Sequence, residues 1–456
     1  MAAANGAQAH FELPAFGGAN DAPGRRLALA AAGSFGLNVA NTALTTLLTI
    51  VLARVMGVAD YGLYAFVVAM MMLLSVPAVL GADRLLVRDV AVYLGREAFG
   101  LARGLIGRAT QFTLLASLAI AAAAGFVAWL MSGGVVTPAL VCFWAGAAAL
   151  PALALSRVGE AGLMGMHHVV LGQAPEYLFK PALLLGLVIV AAVMGPTLPA
   201  PLAVALYALS AWLAALTALS LLRARRPHGM RTDEPVYRTG EWLAGGAALA
   251  LLSSTAIINS QIGVVLLGVL GSADAAGLYS VAQRGALLVA FPLAAVNVAI
   301  APIAARLWSS GELAGLQRLV TLGARWVMLG SLPVALAFFF VGRPILELLF
   351  GAGFGAADSA LAIVSLGQLA NCATGSVGVL LVMSNHQRQA TLAMLAGAII
   401  NIALATLLIP GFQQVGAAVA ALVSLSLSNG LMLLITRRSL GIDSTVLGRH
   451  PGVAAR

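Results

Sequence analysis

The sequence predicts an all-α polytopic membrane protein: twelve transmembrane helices in two six-helix bundles related by a parallel internal repeat. Three observations predict it. Of the 456 residues, 61% are hydrophobic and only 9% charged, against roughly 25% charged in soluble domains, and the mean hydropathy is +0.99. The chain divides into a dozen apolar stretches, each near the roughly 20 residues that a bilayer-spanning helix needs. Its two halves carry one motif at equivalent places. Together these exclude a soluble multidomain enzyme, a disordered scaffold and a nucleic-acid reader. The net charge of +9 is not a nucleic-acid footprint, because the basic residues punctuate apolar runs as membrane topology requires.

Taken in order, residues 1–27 are polar and lack the basic-then-apolar pattern of a cleaved signal; they read as a cytoplasmic tail. The N-terminal bundle, 28–222, holds spans near 28–53, 61–81, 108–131, 135–157, 169–193 and 199–222. The most polar interior stretch, RARRPHGMRTDEPVYRTGE, makes 223–242 a cytoplasmic linker. The C-terminal bundle, 243–436, holds spans near 243–270, 277–303, 325–349, 357–383, 389–410 and 414–436, and 437–456 form a second cytoplasmic tail. Residues 83–107 and 304–324 mix Arg with Leu, Val and Ala and read as amphipathic helices lying at the interface. Period-2 alternation is absent, which argues against a barrel.

Charge placement tests the count. With the N-terminus inside, 21 of the 25 basic residues fall on cytoplasmic segments, and the outer loops keep only Arg54 and Arg343. An even number of spans with both ends inside satisfies the positive-inside rule. The placement expected is a bacterial inner membrane, multi-pass, with both termini cytoplasmic.

The repeat lies at the first outer turn of each half. VLARVMGVADYGLY (51–64) aligns with VLLGVLGSADAAGLY (265–279). Gly57 falls on Gly271, Asp60 on Asp274, Gly62 on Gly277, Tyr64 on Tyr279 and Pro77 on Pro292. Six spans return the chain to its starting side, so the halves share an orientation and are related by an axis along the membrane normal. Transporters so built bind cargo near the midplane between bundles and rock to alternate access.

The run Val51–Ala91 resembles the polysaccharide-biosynthesis flippases, the lipid-linked oligosaccharide translocases of the multidrug/oligosaccharidyl-lipid/polysaccharide exporter superfamily. The resemblance is carried by Arg54, Gly57, Asp60, Tyr61, Gly62, Gly81, Asp83, Arg84 and Arg88. It continues through GLYSVAQR (277–284), LFGAGF (349–354) and LIP…VGAAVAALVS (408–424), and covers most of 28–436. It implies that the chain flips an undecaprenyl-diphosphate-linked glycan from the cytoplasmic to the outer leaflet. It implies as partners the lipid-linked glycan, membrane lipids, a polysaccharide polymerase and other assembly proteins. Because both bundles lie in one chain, a monomer is expected, with no nucleic acid and no cofactor.

Ionisable groups at membrane depth are functional candidates by default. Lys180, the sole lysine, lies about 16 Å into the fifth span, and Glu176 shares its helix face at i,i+4. Pro175 and Pro181 flank them. Arg284 lies about 10 Å into the eighth span, in the other bundle. Three readings stand. Glu176 and Lys180 neutralise each other while Arg284 snorkels to the outer interface. Alternatively, Lys180 and Arg284 face a central cavity and clamp a diphosphate by charge-assisted hydrogen bonds. Or Glu176 binds H+ or Na+ and couples transport to an ion gradient. Arg54 is a helix-end anchor or a further cargo contact. Arg88, with Asp83, Arg84 and Asp89, is a solvated interfacial run or a cytoplasmic receiver of the headgroup. Asn38, Asn41, Gln261 and Gln368 line a glycan lumen or bridge packed helices; Asn259, Asn297 and Asn371 are weaker candidates of the same kind.

The other readings have less to stand on. Cys142 and Cys372 lie far apart in apolar stretches and read as small core residues; His167 and His168 form a pair without metal-ligand spacing. A membrane enzyme or assembly factor of the same glycans needs a catalytic constellation on a sizeable outer loop, and the outer loops are short. A Gly-rich phosphate loop with its Lys is absent, so ATP hydrolysis is not indicated. A multidrug exporter of organic cations needs exposed intramembrane carboxylates, where this chain has Glu176 against two cations. A peptidoglycan-precursor translocase often carries spans beyond twelve.

Overall fold

The computed structural model describes residues 22–195 and 197–448. Most of the expected N-terminal tail and the end of the C-terminal one, with Arg449 and Arg456, lie outside them. Among the described residues every regular element is helical, as hydrocarbon dictates for backbone that must satisfy its own hydrogen bonds.

Helix α1 (Ala22–Val79) is twice the length of a crossing, and it breaks at Gly57 (φ 75, ψ 178). A side chain would be strained in that backbone geometry. The chain turns back there, so that Tyr61 comes within reach of Thr49; twelve residues of straight helix would separate them by about 18 Å. The last long helix, α14 (Gln387–Leu440), does the same at Gln413 (φ 47, ψ −127). The Ser424 hydroxyl donates to the Gly397 carbonyl at 2.8 Å, a pair that a straight helix would hold about 40 Å apart.

Between them run α2 (Ala82–Gly95), α3 (Phe99–Met131), α4 (Pro138–Gly165), α5 (Val169–Ala174), a π-helical turn (Pro175–Phe179), α6 (Lys180–Met194), α7 (Ala200–Ala224) and the short α8 (His228–Thr232). Then come α9 (Thr239–Leu270), α10 (Ala273–Ser309), α11 (Leu313–Phe350), α12 (Asp358–Thr374) and α13 (Val377–Met383). Among the described residues nine helices are long and apolar enough to cross a membrane, counting α5 to α6 as one and the doubled α1 and α14 once each. The two reversals and α9 bring the spans to twelve, six before the linker and six after it.

The ends differ from expectation in three places. The interfacial helix expected over 83–107 is only α2: a turn at 96–98 ends it, and the rest already belongs to α3. No separate helix lies over 304–324; α10 and α11 project past the apolar band and meet at Gly311 (φ 74). The fourth span does not stop at Arg157 but continues to Gly165. Three glycines in RVGEAGLMG are poor helix formers, but they pack against neighbouring helices. A Cβ on Gly159 would lie 2.8 Å from Ala218 and one on Gly165 2.7 Å from the Leu86 carbonyl oxygen, and the helix carries Arg157 and Glu160 inside it.

The reversals at Gly57 and Gln413 lie at one end of the molecule, here the hairpin side; α2, the linker and the chain after α14 gather at the other, the linker side. The bundles meet closely on the hairpin side. A Cβ on Gly62 would lie 1.8 Å from the Ala273 carbonyl oxygen, and one on Gly277 would lie 2.9 Å from the Gly62 Cα. The two glycines aligned by the repeat thus touch each other across the axis that relates the halves. On the linker side a Cβ on Gly81 would lie 2.2 Å from the Gly246 carbonyl oxygen. Small residues let backbones approach where apolar surface alone gives helices no reason to associate.

The linker is not a free tether. The Val236 amide donates to the Gly100 carbonyl at 2.9 Å, and Arg103 donates to the carbonyls of Arg231 (3.0 Å) and Asp233 (2.8 Å). Nor does the chain after α14 hang loose: the Gln317 side chain donates to the Asp443 carbonyl at 2.6 Å and accepts from its amide at 2.8 Å. Partial burial pushes the Asp443 carboxyl up, but bonds from Thr445 and Arg437 outweigh it and hold the group below its ordinary range.

The glycine contact yields a test. Gly62→Leu and Gly277→Leu should each overpack the seam, destabilising by about 1–3 kcal/mol or more and lowering the thermal midpoint of the detergent-purified protein. Gly107→Ala, where an added Cβ meets nothing within 4 Å, should leave the midpoint unchanged or raise it.

Candidate functional site

The fifth span is interrupted where its charges sit. Pro175 lacks the amide that would continue the ladder, and the helix widens into the π turn over Pro175–Phe179; such turns are frequent at functional sites. The widened turn presents Glu176 and Lys180 on one face. The Lys180 ammonium donates to Glu176 Oε1, with 14% and 25% of the two side chains exposed. Lys180 Nζ also stands 5.7 Å from the Tyr207 ring centre, within cation–π range. Glu176 Oε2 is buried without a hydrogen-bond partner.

The pair has neighbours that the sequence reading left in a loop. Glu160, on α4, lies close enough to Glu176 and Lys180 to interact electrostatically with both, as it does with Arg157 on its own helix and Asp83 at the start of α2. The first limb of α1 closes this end: the Ser34 hydroxyl donates to Gln173 Oε1, one turn before Glu176. The N-terminal bundle thus holds two carboxylates and two cations within its spans, equal in number, of which Glu176 and Lys180 form an ion pair.

Arg284 is not compensated. It lies on α10, half-buried, and among the described residues no carboxylate reaches it within ion-pair distance. Its guanidinium acts electrostatically on Tyr61 and Tyr64 of the facing bundle. The two cations of the proposed clamp are therefore not in contact with each other. A row of rings links them: Tyr207 to Tyr64 at 6.3 Å edge to face, then Tyr64 to Tyr61 at 6.2 Å. The Tyr61 hydroxyl lies 3.4 Å from the Ser280 hydroxyl, one turn before Arg284. The three rings belong to the N-terminal bundle and are all buried; the row reaches the other bundle through the Tyr61–Ser280 contact. Sequence reading named Tyr61 and Tyr64 as motif residues but not their assembly with Tyr207, which depends on which helices touch; Arg157 and Glu160 were missed because their span was ended too early.

The remaining candidates lie elsewhere. Arg54 is exposed and donates through Nε to the Leu349 carbonyl at 2.8 Å and through Nη2 to that of Leu348. These are last-turn carbonyls of α11, where a cation complements the helix dipole, so Arg54 ties the bundles together on the hairpin side. Arg88 pairs with its neighbour Asp89 at 2.6 Å on the exposed face of α2, and the bonded carboxylate raises the Arg88 pKa above its ordinary value. Asn38 is exposed and donates to the Ser34 carbonyl at 2.9 Å; Asn41, one turn on, is half-buried. Gln261 donates to the Ser260 hydroxyl at 3.3 Å, and Gln368 accepts from Asn371 at 3.3 Å. Asn259 donates across to the Met394 carbonyl at 3.4 Å, a helix-bridging role; Asn297 Oδ1 is buried without a partner. Both cysteines are buried and free. No cluster of three potential metal ligands occurs among the described residues.

With this geometry in hand, similarity to known proteins can be weighed. The sequence profile described as polysaccharide biosynthesis protein matches residues 33–308. No curated protein sequence matches the chain. The fold is similar to that of a multidrug resistance MATE family transporter of the MOP superfamily in an inward-facing conformation, at 13% identity over 90% of this chain and 98% of that one, with a TM-score of 0.71. It is similar to the lipid II flippase MurJ in an inward closed conformation, at 13% identity over 90% of this chain and 87% of that one, with a TM-score of 0.67. A MOP superfamily transporter from Pyrococcus furiosus, described by the reverse polarity of its binding pocket, matches at 13% identity over 91% of this chain and 95% of that one, with a TM-score of 0.59. At such identities the likeness shows the fold, and these three proteins that share it are transporters.

The ion pair makes a stability prediction. Removing one partner of Glu176–Lys180 strands the other among apolar helices, at a cost of roughly 1–3 kcal/mol. Glu176→Gln and Lys180→Met should each lower the thermal midpoint, and the double variant should recover most of the loss. Additive losses in the double variant would show that the two groups do not compensate each other.

Proposed function

The chain belongs to the polysaccharide biosynthesis protein family, and from that premise we propose that it flips a polyprenyl-diphosphate-linked oligosaccharide across a bacterial inner membrane, from the cytoplasmic to the outer leaflet. The bundles of residues 28–222 and 243–436, joined by the linker 223–242, rock against each other to alternate access. The arginine-rich linker side faces the cytoplasm, as do both termini, and the hairpin side, where Gly62 meets Gly277 and Arg54 meets α11, is the closed outer face.

The observation that carries this reading is the uncompensated charge of Arg284. Counting groups inside the spans, Arg157, Lys180 and Arg284 stand against Glu160 and Glu176, and the surplus cation is the one facing the other bundle. A diphosphate supplies compact negative charge and strong acceptors, which an arginine takes by charge-assisted hydrogen bonds. An organic cation would find no free carboxylate at Arg284, which weighs against the drug-exporter reading despite the shared fold. Lys180, engaged by Glu176, becomes a second contact once the cargo competes for its ammonium. Asn38, Asn41, Gln261 and Gln368 offer amides to the glycan. Arg54 and Arg88 serve as a gate tie and an entry contact. The protein works as a monomer, delivers its product to a polymerase and other assembly proteins, and catalyses no bond cleavage.

Lipid extracts of a strain lacking the gene test this. The expected result is accumulation of a complete diphosphate-linked glycan, seen by mass spectrometry, with loss of the matching surface polysaccharide. Truncated glycans would point instead to an enzyme or assembly factor. An unchanged lipid profile with heightened sensitivity to cationic dyes would point to a drug exporter.

A further inference from the structure

A cleft of about 200 Å³ opens on the flank of the molecule where the two bundles meet on the linker side. Three walls form it. One is the corner between α1 and α2, with Val79, Leu80 and Leu85. The second is a single face of α3 (Leu105, Arg108, Phe112, Leu115), and the third a single face of α9 (Thr239, Trp242, Leu243, Gly246). Both helix faces advance from the linker side toward the membrane interior over at least seven residues, so the cleft runs along the helices for about 10 Å.

Its two ends differ chemically. The deep end is apolar: Leu115 is 67% and Phe112 37% exposed, as side chains facing hydrocarbon are. The shallow end carries Arg108, exposed, donating to Gln111 Oε1 at 3.2 Å and lying 4.6 Å over the Tyr237 ring. No carboxylate pairs with Arg108 among the described residues. Behind the cleft, Gly81 packs on the backbone of Gly246 and Ala250, which separates it from the seam that holds Arg284.

An apolar channel parallel to the bilayer normal, with a free cation at its interfacial end, has the polarity of one lipid molecule in one leaflet. We infer that this cleft is a specific site for an anionic phospholipid of the leaflet on the linker side, its phosphate on Arg108 and an acyl chain between α3 and α9. The lipid bridges α3 of one bundle and α9 of the other. The occupant is a membrane phospholipid rather than the cargo, because the wall behind the cleft keeps a headgroup there from reaching Arg284.

Native mass spectrometry of the delipidated, full-length protein, titrated with phosphatidylglycerol or phosphatidylethanolamine, tests the site. One phosphatidylglycerol should bind with about a fivefold preference over phosphatidylethanolamine, the worth of one interfacial arginine. Arg108→Gln should abolish the preference. Leu243→Trp, which fills the cleft and keeps the arginine, should weaken binding of both lipids at that site. An unchanged preference in Arg108→Gln would overturn the inference, as would no preference in the wild type. Displacement of the bound lipid by undecaprenyl phosphate but not by phosphatidylglycerol would assign the cleft to the cargo's tail instead. None of these results depends on whether the chain transports a glycan.

Discussion

A charge inside hydrocarbon has to be answered by something, because water is not there to solvate it. The N-terminal bundle answers from within. Glu176 accepts from Lys180, Tyr207 faces its ammonium, and Arg157 and Glu160 add a second pair of opposite charges. The C-terminal bundle leaves Arg284 with tyrosine rings and no counter-ion. That asymmetry organises the site. One bundle carries charges of both signs within its spans, the other presents a cation to the seam, and the aromatic row Tyr207–Tyr64–Tyr61 of the first bundle leads from Lys180 to that seam.

The seam itself depends on the absence of side chains. Gly62 and Gly277 meet because neither carries a Cβ, and Arg54 reaches the last carbonyls of α11 at the same end. The same seam buries apolar surface from both bundles, with the Tyr61 ring packed edge-on against Phe354 at 5.8 Å. The opposite end is tied differently, through the docked linker and the packing of α2 on α9.

Much of this was legible in the sequence. Twelve spans, their order and the equivalence of the halves follow from apolar runs, arginine placement and the matched glycines, because membrane insertion reads those same properties. The pairing of Glu176 with Lys180 follows from i,i+4 spacing beside Pro175. Other features were not legible. Arg157 and Glu160 sit in a helix that runs on through Gly159 and Gly162 before it ends at Gly165, so they looked like loop charges. The stretch 304–324 looked amphipathic because two helix ends project past the bilayer together. The tyrosine row depends on which helices touch, and periodicity does not encode that. The role of Arg54 is likewise tertiary: its partners are backbone carbonyls almost three hundred residues away, which leave no trace in side-chain patterns.

The central claim is that the cargo's diphosphate answers the charge of Arg284. Equilibrium binding of undecaprenyl diphosphate to the purified protein tests it most directly, compared among wild type, Arg284→Lys and Arg284→Ala of equal thermal stability. The account predicts at least a tenfold loss of affinity in Arg284→Ala, the scale of one hydrogen bond to a charged group, and partial retention in Arg284→Lys. Equal affinity in all three would contradict it.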